Sequence, residues 1–386
     1  MHPEAEVDLT GLRILAFCDH FTEDTSGGAE KVSIEVYRRL IQRGADVRVV
    51  SAIAGATEGE GEVAGIPTRV VRGKSLTGVF GAQVLASRRL GRIARRMVGE
   101  WTPDVIHASS IHFQGSITAA RLARRHKIPL VTTAHVGSVS ALPLLTRIAT
   151  SIYENTFGRF VLRSSARVIA VSRATAAHVR RLGARNVTVV ANGVDHDRFA
   201  PPPQRPESPI EIVFVGRLIG NKGPAMALAA FSSLHHPTAR LTFVGDGPNR
   251  RNLERAGAKI GDTVRFLGHR GDVADILKST HIVVRPSQTE GQSLAMLEAM
   301  ASGVVVVASD IEANRELIQT GETGLLHRIN NVIDLADALR EAITNPVLRQ
   351  NLAAAAHQHA LRYSWDQCAT ETGAVLLAAA NEKGGR

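Results

Sequence analysis

Short runs of β-branched and aliphatic residues alternate along this chain with amphipathic stretches of helical period. The first half predicts strands at 13–18, 47–51, 68–71, 105–109, 130–134, 168–171 and 188–191. The second half predicts them at 211–215, 240–244, 264–267, 282–285, 304–308 and 324–327. Uninterrupted apolar runs such as Val304-Val305-Val306-Val307 suit parallel strands covered on both faces. Helical patterns between the strands, such as 29–43, predict repeated βαβ units and an α/β fold. The pattern breaks in one clear place, the proline-rich segment 201–209, and then restarts. The expected organisation is two Rossmann-like domains, at 1–200 and 210–365, joined by that linker. A final helix at 366–386 is expected to return to the N-terminal domain. Ligands on such sheets bind beyond the carboxyl ends of the strands, so residues that follow strands are the ones to read for chemistry.

Composition agrees with this division. A chain of 386 residues suits two cores of roughly 200 residues each. Apolar content of 44% and charged content of 21% fit a soluble globular protein. No run of about 18 apolar residues predicts a membrane span. The opening MHPEAEVDLT lacks the apolar core of a secretory signal. Cys18 and Cys368 are too few for a disulfide framework, so a reducing cytoplasm is expected. The net charge of +10 lies wholly in the first half, where residues 1–200 hold 27 Lys+Arg against 17 Asp+Glu; residues 201–386 hold 19 of each. A basic first half predicts an acidic partner: an anionic lipid surface, a phosphorylated acceptor or nucleic acid. Nucleic acid is the weakest of these and is not expected. There is no helix-turn-helix or zinc-finger pattern, and aromatics are only 4%.

Several strand ends carry candidate chemistry. Gly27 and Gly28 follow the first strand and open a helix, so the backbone there can approach a phosphate or sugar closely; an ordinary structural turn is the alternative. Gly216-Arg217 ends the first strand of the second half, with Lys222-Gly223-Pro224 opening the next helix. The planar fork of Arg217 and the point charge of Lys222 could together neutralise a departing diphosphate, whereas either alone reads as a solvated loop cation. Glu290 and Glu298 stand eight residues apart around Gly291-Gln292-Ser293-Leu294. Two acids around a turn and an apolar helix start suggest a polyol gripped at a helix N-terminus. The apolar neighbours of Glu298 leave little polar face, so it is expected to be half buried and partnered. His135 ends a first-half strand. Alone, it reads as a satisfied structural residue.

Taken together these stretches resemble the family-4 retaining glycosyltransferases (glycosyl transferases group 1) of the GT-B fold. Glu290 and Glu298 match the family's E-x7-E motif, and Arg217 and Lys222 its diphosphate clamp. Gly27-Gly28-Ala29-Glu30 matches its N-terminal signature, and Asn192-Gly193-Val194-Asp195, completed by Phe199, its hinge element. The resemblance implies two Rossmann-like domains facing a central cleft, the first on the acceptor side and the second holding the nucleotide sugar. It implies transfer of a hexosyl unit from a UDP- or GDP-linked donor to a hydroxyl acceptor with retention, in bacterial glycolipid, polysaccharide or cell-envelope synthesis. No bound cofactor and no metal are implied. Glu298 would accept the ribose hydroxyls. Glu290 would hold the donor sugar, with Gly291, Gln292, Ser293 and Leu294 presenting backbone N–H groups to it. Gly27, Gly28 and Gly216 complete the donor contacts. His135 would stand near the reaction centre, and His107 would shape the acceptor side or only pack. Gln292 and Ser293 replace the family's usual Phe and Gly, which leaves the donor sugar open. Asp195-His196-Asp197 spells D-x-D, but inside the hinge element, where it reads as structural.

Residues 74–97 combine apolar positions (Leu76, Val79, Phe80, Val84, Leu85, Leu90, Ile93, Met97) with Lys74 and five arginines. As one amphipathic helix they could lie on an anionic bilayer, making the protein peripheral on the inner face of the membrane, or pack on the sheet with solvated arginines. An acceptor that is anionic or lipid-linked would fit the basic first half. Two other classes stay open from residues alone: a sugar-nucleotide epimerase or phosphorylase, and a non-catalytic carbohydrate- or lipid-binding module. Oligomeric state is not legible.

Overall fold

The computed structural model describes residues 7–23, 27–75, 85–137 and 141–384. The chain divides into two units: residues 1–136, 148–192 and 365–386 in the first, and 137–147 and 193–364 in the second.

The first unit is built on a sheet in the order β3-β4-β2-β1-β6-β7-β8-β9. Its strands are β1 (Arg13–Phe17), β2 (Asp46–Ala54), β3 (Gly59–Val63), β4 (Ile66–Ser75), β6 (Val105–Ala108), β7 (Leu130–Ala134), β8 (Arg167–Ala170) and β9 (Val187–Val189), with β5 (Leu85–Ala86) paired to β4. Pairing is parallel except at β3 and β5, which run antiparallel to β4. The crossover helices are α1 (Gly28–Gln42), α2 (Leu90–Trp101), α3 (Gln114–His126), α4 (Leu144–Tyr153, of which the part from Ile148 belongs to this unit), a π turn (Glu154–Gly158), α5 (Arg159–Ser164) and α6 (Arg173–Arg181). The β1–α1–β2 unit shows why: Val32, Val36, Tyr37 and Leu40 repeat at helical spacing and are buried, while Glu35 and Arg39 form an outward i,i+4 pair.

All seven strands expected in the first half are present, and β3 and β5 are additions. Gly59-Glu-Gly-Glu-Val has the polar, exposed character of an edge strand, which hydrophobic patterning cannot find. The expected helix across 74–97 is corrected. Lys74 and Ser75 continue β4 and pair with Ala86 and Leu85, because β4 is already held in extended register by β2 as far as Gly73. The helix begins only at Leu90. Its Leu90, Ala94 and Val98 are buried, with Ile93 and Met97 packed against the same core, so its apolar face is the sheet-packing one. Leu76, Val79, Phe80 and Val84 lie outside the described residues.

The second unit is a six-stranded parallel sheet in the order β12-β11-β10-β13-β14-β15. The strands are β10 (Ile210–Val215), β11 (Ala239–Val244), β12 (Val264–Gly268), β13 (Ile282–Arg285), β14 (Val305–Ser309) and β15 (Leu325–His327). Its helices include α7 (Pro224–Leu234), α8 (Arg250–Gly257), α9 (Val273–Ser279), α10 (Leu294–Ala301), α11 (Glu312–Arg315), α12 (Val332–Thr344) and α13 (Pro346–Ala360). The unbroken valine runs have their physical explanation here. Ile212, Phe214, Ile282, Val284, Val305 and Val307 enter one core, and Val213, Val283, Val306 and Ala308 enter the other. Successive side chains alternate faces, and both faces are covered by helices.

The chain passes from the first unit to the second at Asn192–Gly193, and the proline-rich segment lies within the second unit. There Arg205 Nη1 donates to the carbonyl of Gly303 at 2.8 Å. The final helix, α14 (Trp365–Gly384), belongs to the first unit. Arg43 reaches Asp366 and Thr370 on it, and Gly373 lets it close on Leu9 and Leu40.

Candidate active site

In the second unit the carboxyl ends of β10 and β13 gather the charged residues. The chain leaves β10 through Gly216, whose φ of +141° is accessible to glycine alone; a Cβ there would run into the Arg285 guanidinium. After Arg217 and a 3-10 turn over Gly220–Lys222, Gly223 takes φ +71° against the Pro286 carbonyl, and Pro224 starts α7. This path turns Lys222 inward. Its Nζ lies 2.7 Å from Glu290 Oε2. On the other side of that carboxylate, Arg285 Nε and Nη2 donate to Oε1 at 3.0 and 2.9 Å, and its Nη1 donates to the Val215 carbonyl at 2.6 Å.

The electrostatics follow from this geometry. Burial pushes the Glu290 carboxyl upward, but Lys222 and Arg285 outweigh it and hold it at about 2. Burial lowers Lys222, with Glu290 pulling the other way. The pair is ionised, because one carboxylate faces two cations within hydrogen-bond reach. Glu290 balances only one of those cations, and Arg217 stands close enough to act on Lys222. The strand ends therefore keep an excess of positive charge, as a bound diphosphate requires.

Glu298 lies one turn into α10 and is only 8% exposed. Gly291 is buried, Gln292 and Leu294 are half-buried, and Ser293 is the N-cap of α10. The buried Ser293 Oγ has no hydrogen-bond partner among the described residues. A helix start that does not use its own capping hydroxyl leaves both that hydroxyl and its backbone N–H groups for an anion. Asp195 Oδ1 accepts from the Arg198 N–H, and His196 Nε2 lies 3.0 Å from the Tyr363 carbonyl, so the D-x-D triplet is tied into its own loop and to the turn that follows α13. Among the described residues no group of three or more His, Cys, Asp or Glu is arranged to hold a metal.

In the first unit Gly27 is the N-cap of α1 and Gly28 its first residue. Glu30 folds back over this helix start, where a Cβ at Gly27 would collide with its carboxylate. His135 follows β7, half-buried, and burial lowers it to about 4. His107, on β6, is 3% exposed. Its Nδ1 meets the Tyr37 hydroxyl and its Nε2 the Thr133 hydroxyl, each at 2.8 Å. Burial, helped by the nearby His135, brings His107 down to about 3, so it is neutral. Both histidines line a cavity of about 20 Å³, room for one water, closed from α14 by Cys368 and Thr372.

Sequence reasoning missed Arg285, although a charged residue ending the run Ile282-Val283-Val284 was a usable signal. It also missed Asp19 and His112, beyond the ends of β1 and β6, and Glu154 on the π turn. Asp19 is buried and raised to about 6 by that burial, against the Gly115 N–H that it accepts at 3.2 Å. Glu154, on the π turn, accepts from Nε2 of His112 and of His178, each at 3.2 Å. Burial opposes ionisation of Glu154, but the two imidazoles prevail and hold it at about 2.

Comparison with known proteins follows the same division of the chain. The family model for Glycosyltransferase Family 4 matches residues 26–198, and that for Glycosyl transferases group 1 matches 195–359. The glycogen synthase of Mycobacterium tuberculosis is 30% identical over 309 residues, 77% of this chain and 74% of its own. The phosphatidyl-myo-inositol mannosyltransferase of the same organism is 28% identical over 381 residues, 93% of this chain and 95% of its own. Among solved structures, Anabaena Alr3699/HepE in complex with UDP-glucose superposes with a TM-score of 0.75 at 20% identity, covering 95% of this chain and 99% of its own. Sucrose-phosphate synthase from Thermosynechococcus elongatus gives 0.78 at 19%, covering 95% and 98%. These two establish the fold. The chain belongs to glycosyltransferase family 4 and is a retaining hexosyltransferase of the GT-B fold that uses a nucleotide-sugar donor.

Proposed function

We propose that the second unit holds a UDP- or GDP-linked hexose, with Arg217 and Lys222 on the diphosphate, Glu298 on the ribose and Glu290 on the sugar. Gly216 and the loop Gly291, Gln292, Ser293 and Leu294 complete the donor contacts, and Gly27, Gly28 and His135 serve the same reaction from the first unit. The acceptor hydroxyl attacks the anomeric carbon from the face that the diphosphate leaves. The new C–O bond forms as the C–O bond to phosphate breaks, and the acceptor proton passes to the departing phosphate oxygen. No side chain need become covalently attached. The positive excess around Lys222 stabilises charge that grows on the diphosphate, which is where electrostatic catalysis has most effect.

The observation that carries this reading is the buried Lys222–Glu290–Arg285 cluster, held by two glycines with positive φ at the mouth of a parallel sheet. We place the acceptor among anionic or lipid-linked alcohols at the inner face of the membrane. The basic first half supports this, as does a relative named for mannosyl transfer to a phosphatidylinositol. Among the described residues no helix is long and apolar enough to cross a membrane. Thermal shifts with UDP, GDP and ADP identify the base, since binding stabilises by mass action. Nucleoside diphosphate release that depends on an added acceptor supports the reading. Turnover of the donor to an isomer without acceptor, or binding without turnover, rejects it.

A further inference from the structure

The first unit has a cationic surface that donor chemistry does not use. Over its segments 101–136 and 148–192 the chain holds eleven Lys+Arg and only two carboxylates, Asp104 and Glu154, and Glu154 is 1% exposed. At the centre of this stretch α4, the π turn and α5 run on as one helical arm. No residue of α4 is buried. Its large apolar side chains face outward, with Ile148 47% and Ile152 61% exposed, and Phe157 on the π turn 47% exposed. The arm is anchored from the other side, by Glu154 between two histidines and by buried Gly158, Val161 and Leu162.

Steps of three and four residues carry the outward row on from Ile152 through Asn155 and Thr156 to Arg159 and Arg163. Asn155, Thr156, Arg159 and Arg163, with Phe160, Ser164 and Arg124 of α3, line an open pocket of about 650 Å³. Arg124, Arg159 and Arg163 have no carboxylate partner among the described residues, and the shielded Arg159 Nε has no hydrogen-bond acceptor. An exposed apolar stripe thus leads into a cup of guanidinium groups that lack carboxylate partners, with Arg124 stacked over the Phe160 ring. An isolated apolar stripe would suit many partners. A stripe ending in guanidinium forks suits a surface that offers phosphate and hydrocarbon side by side.

We infer that this arm docks the protein on an anionic lipid bilayer, with lipid phosphates in the Arg124–Arg159–Arg163 pocket and Ile148, Ile152 and Phe157 at the acyl boundary. The inference deepens the proposed lipid-linked acceptor. Docking is read as vesicle binding, separately from donor binding. The experiment is co-sedimentation of the full chain with vesicles of equimolar phosphatidylglycerol and phosphatidylcholine, and with phosphatidylcholine alone. Binding is expected to the first and not the second, and to weaken with added salt. Arg159→Ala with Arg163→Ala lowers the partition by about tenfold or more, as does Ile152→Asp with Phe157→Asp. The UDP or GDP thermal shift is unchanged in both variants, because none of these residues is placed in the donor site. Three results overturn the inference: wild-type protein that ignores anionic vesicles, variants that bind them as the wild type does, or an Ile152→Asp variant that converts a lipid-free dimer to a monomer. The last would assign the face to a second copy of the chain. Failure of the nucleotide shift in the wild type would count against the donor assignment alone.

Discussion

Arg285 and Glu290 close the loop that leaves β13 back onto itself: Nη2 of the first lies 2.9 Å from Oε1 of the second. The same guanidinium donates to the Val215 carbonyl and sits 5.8 Å above the Phe214 ring, so it fastens β10, β13 and the glutamate together. Arg285→Met is expected to lower stability by about 3 kcal/mol, because the buried carboxylate loses half its compensation. Donor affinity falls with it. Arg285→Lys keeps the charge but not the fork, and recovers stability only in part. Thermal melts and nucleotide titrations on the pair of variants check this. Equal melting temperatures for wild type and Arg285→Met would refute it.

Glu298 is assigned to the ribose and Glu290 to the sugar, and the two assignments separate experimentally. Glu298→Ala weakens nucleoside diphosphate and nucleotide sugar alike, by about tenfold for a lost pair of charge-assisted hydrogen bonds. Normal affinity for the bare nucleotide in that variant contradicts the ribose role. Titration calorimetry with nucleotide and with nucleotide sugar makes the comparison.

On their proposed role, Arg217 and Lys222 would act on charge that grows in the transition state, so their loss is expected to appear in kcat more than in KM. Lys222→Ala is expected to reduce kcat by about 100-fold or more. Arg217 is half-buried and acts on Lys222, so Arg217→Ala is expected to lower kcat in the same sense as Lys222→Ala. A rise in KM at constant kcat for Arg217→Ala would make it a ground-state anchor instead.

The two histidines of the β6–β7 cavity set part of the acid limit of stability. Burial depresses His107 to about 3 and His135 to about 4, against about 6.5 in an unfolded chain. A depressed histidine contributes stability above its unfolded value and loses it as pH falls toward the folded one. Stability should therefore decline below about pH 6.5. Glu290, held at about 2, adds a further loss below its ordinary value of 4.5, because it must be protonated as the chain unfolds. His107→Asn removes one titrating group and flattens the limb between pH 6.5 and 3. Melting temperatures across that range test it, and an unchanged slope would exclude His107 as a contributor.

Much of this was legible in the residues, for identifiable reasons. The central strands were found because parallel strands buried on both faces must be continuously apolar, as in Val304–Val307. The strand ends announced Lys222 and Glu290 because charged residues interrupt those runs. Arg285 stayed hidden because a charge on the last residue of a strand reads as an ordinary solvated end, and only the fold shows its fork reaching Glu290. The segment 74–97 misled for a related reason: helical spacing continued past the point where register with β2 had already fixed an extended chain. The exposed face of α4 could not be told from a packed one, since amphipathic period does not say which way the apolar side turns.

The first unit borrows its last helix from residues 365–384. On the ribosome, its sheet strands are all made by Val189, yet α14, which seals the histidine cavity through Cys368 and Thr372, is still some 170 residues from being synthesised. Until then Leu9 and Leu40 lack their cover at Gly373. The stretch 193–364 can emerge and close its own sheet first. Unit one is therefore begun first and finished last, and a nascent chain stalled before Trp365 would present a docking face for chaperones where the finished protein has a sealed core.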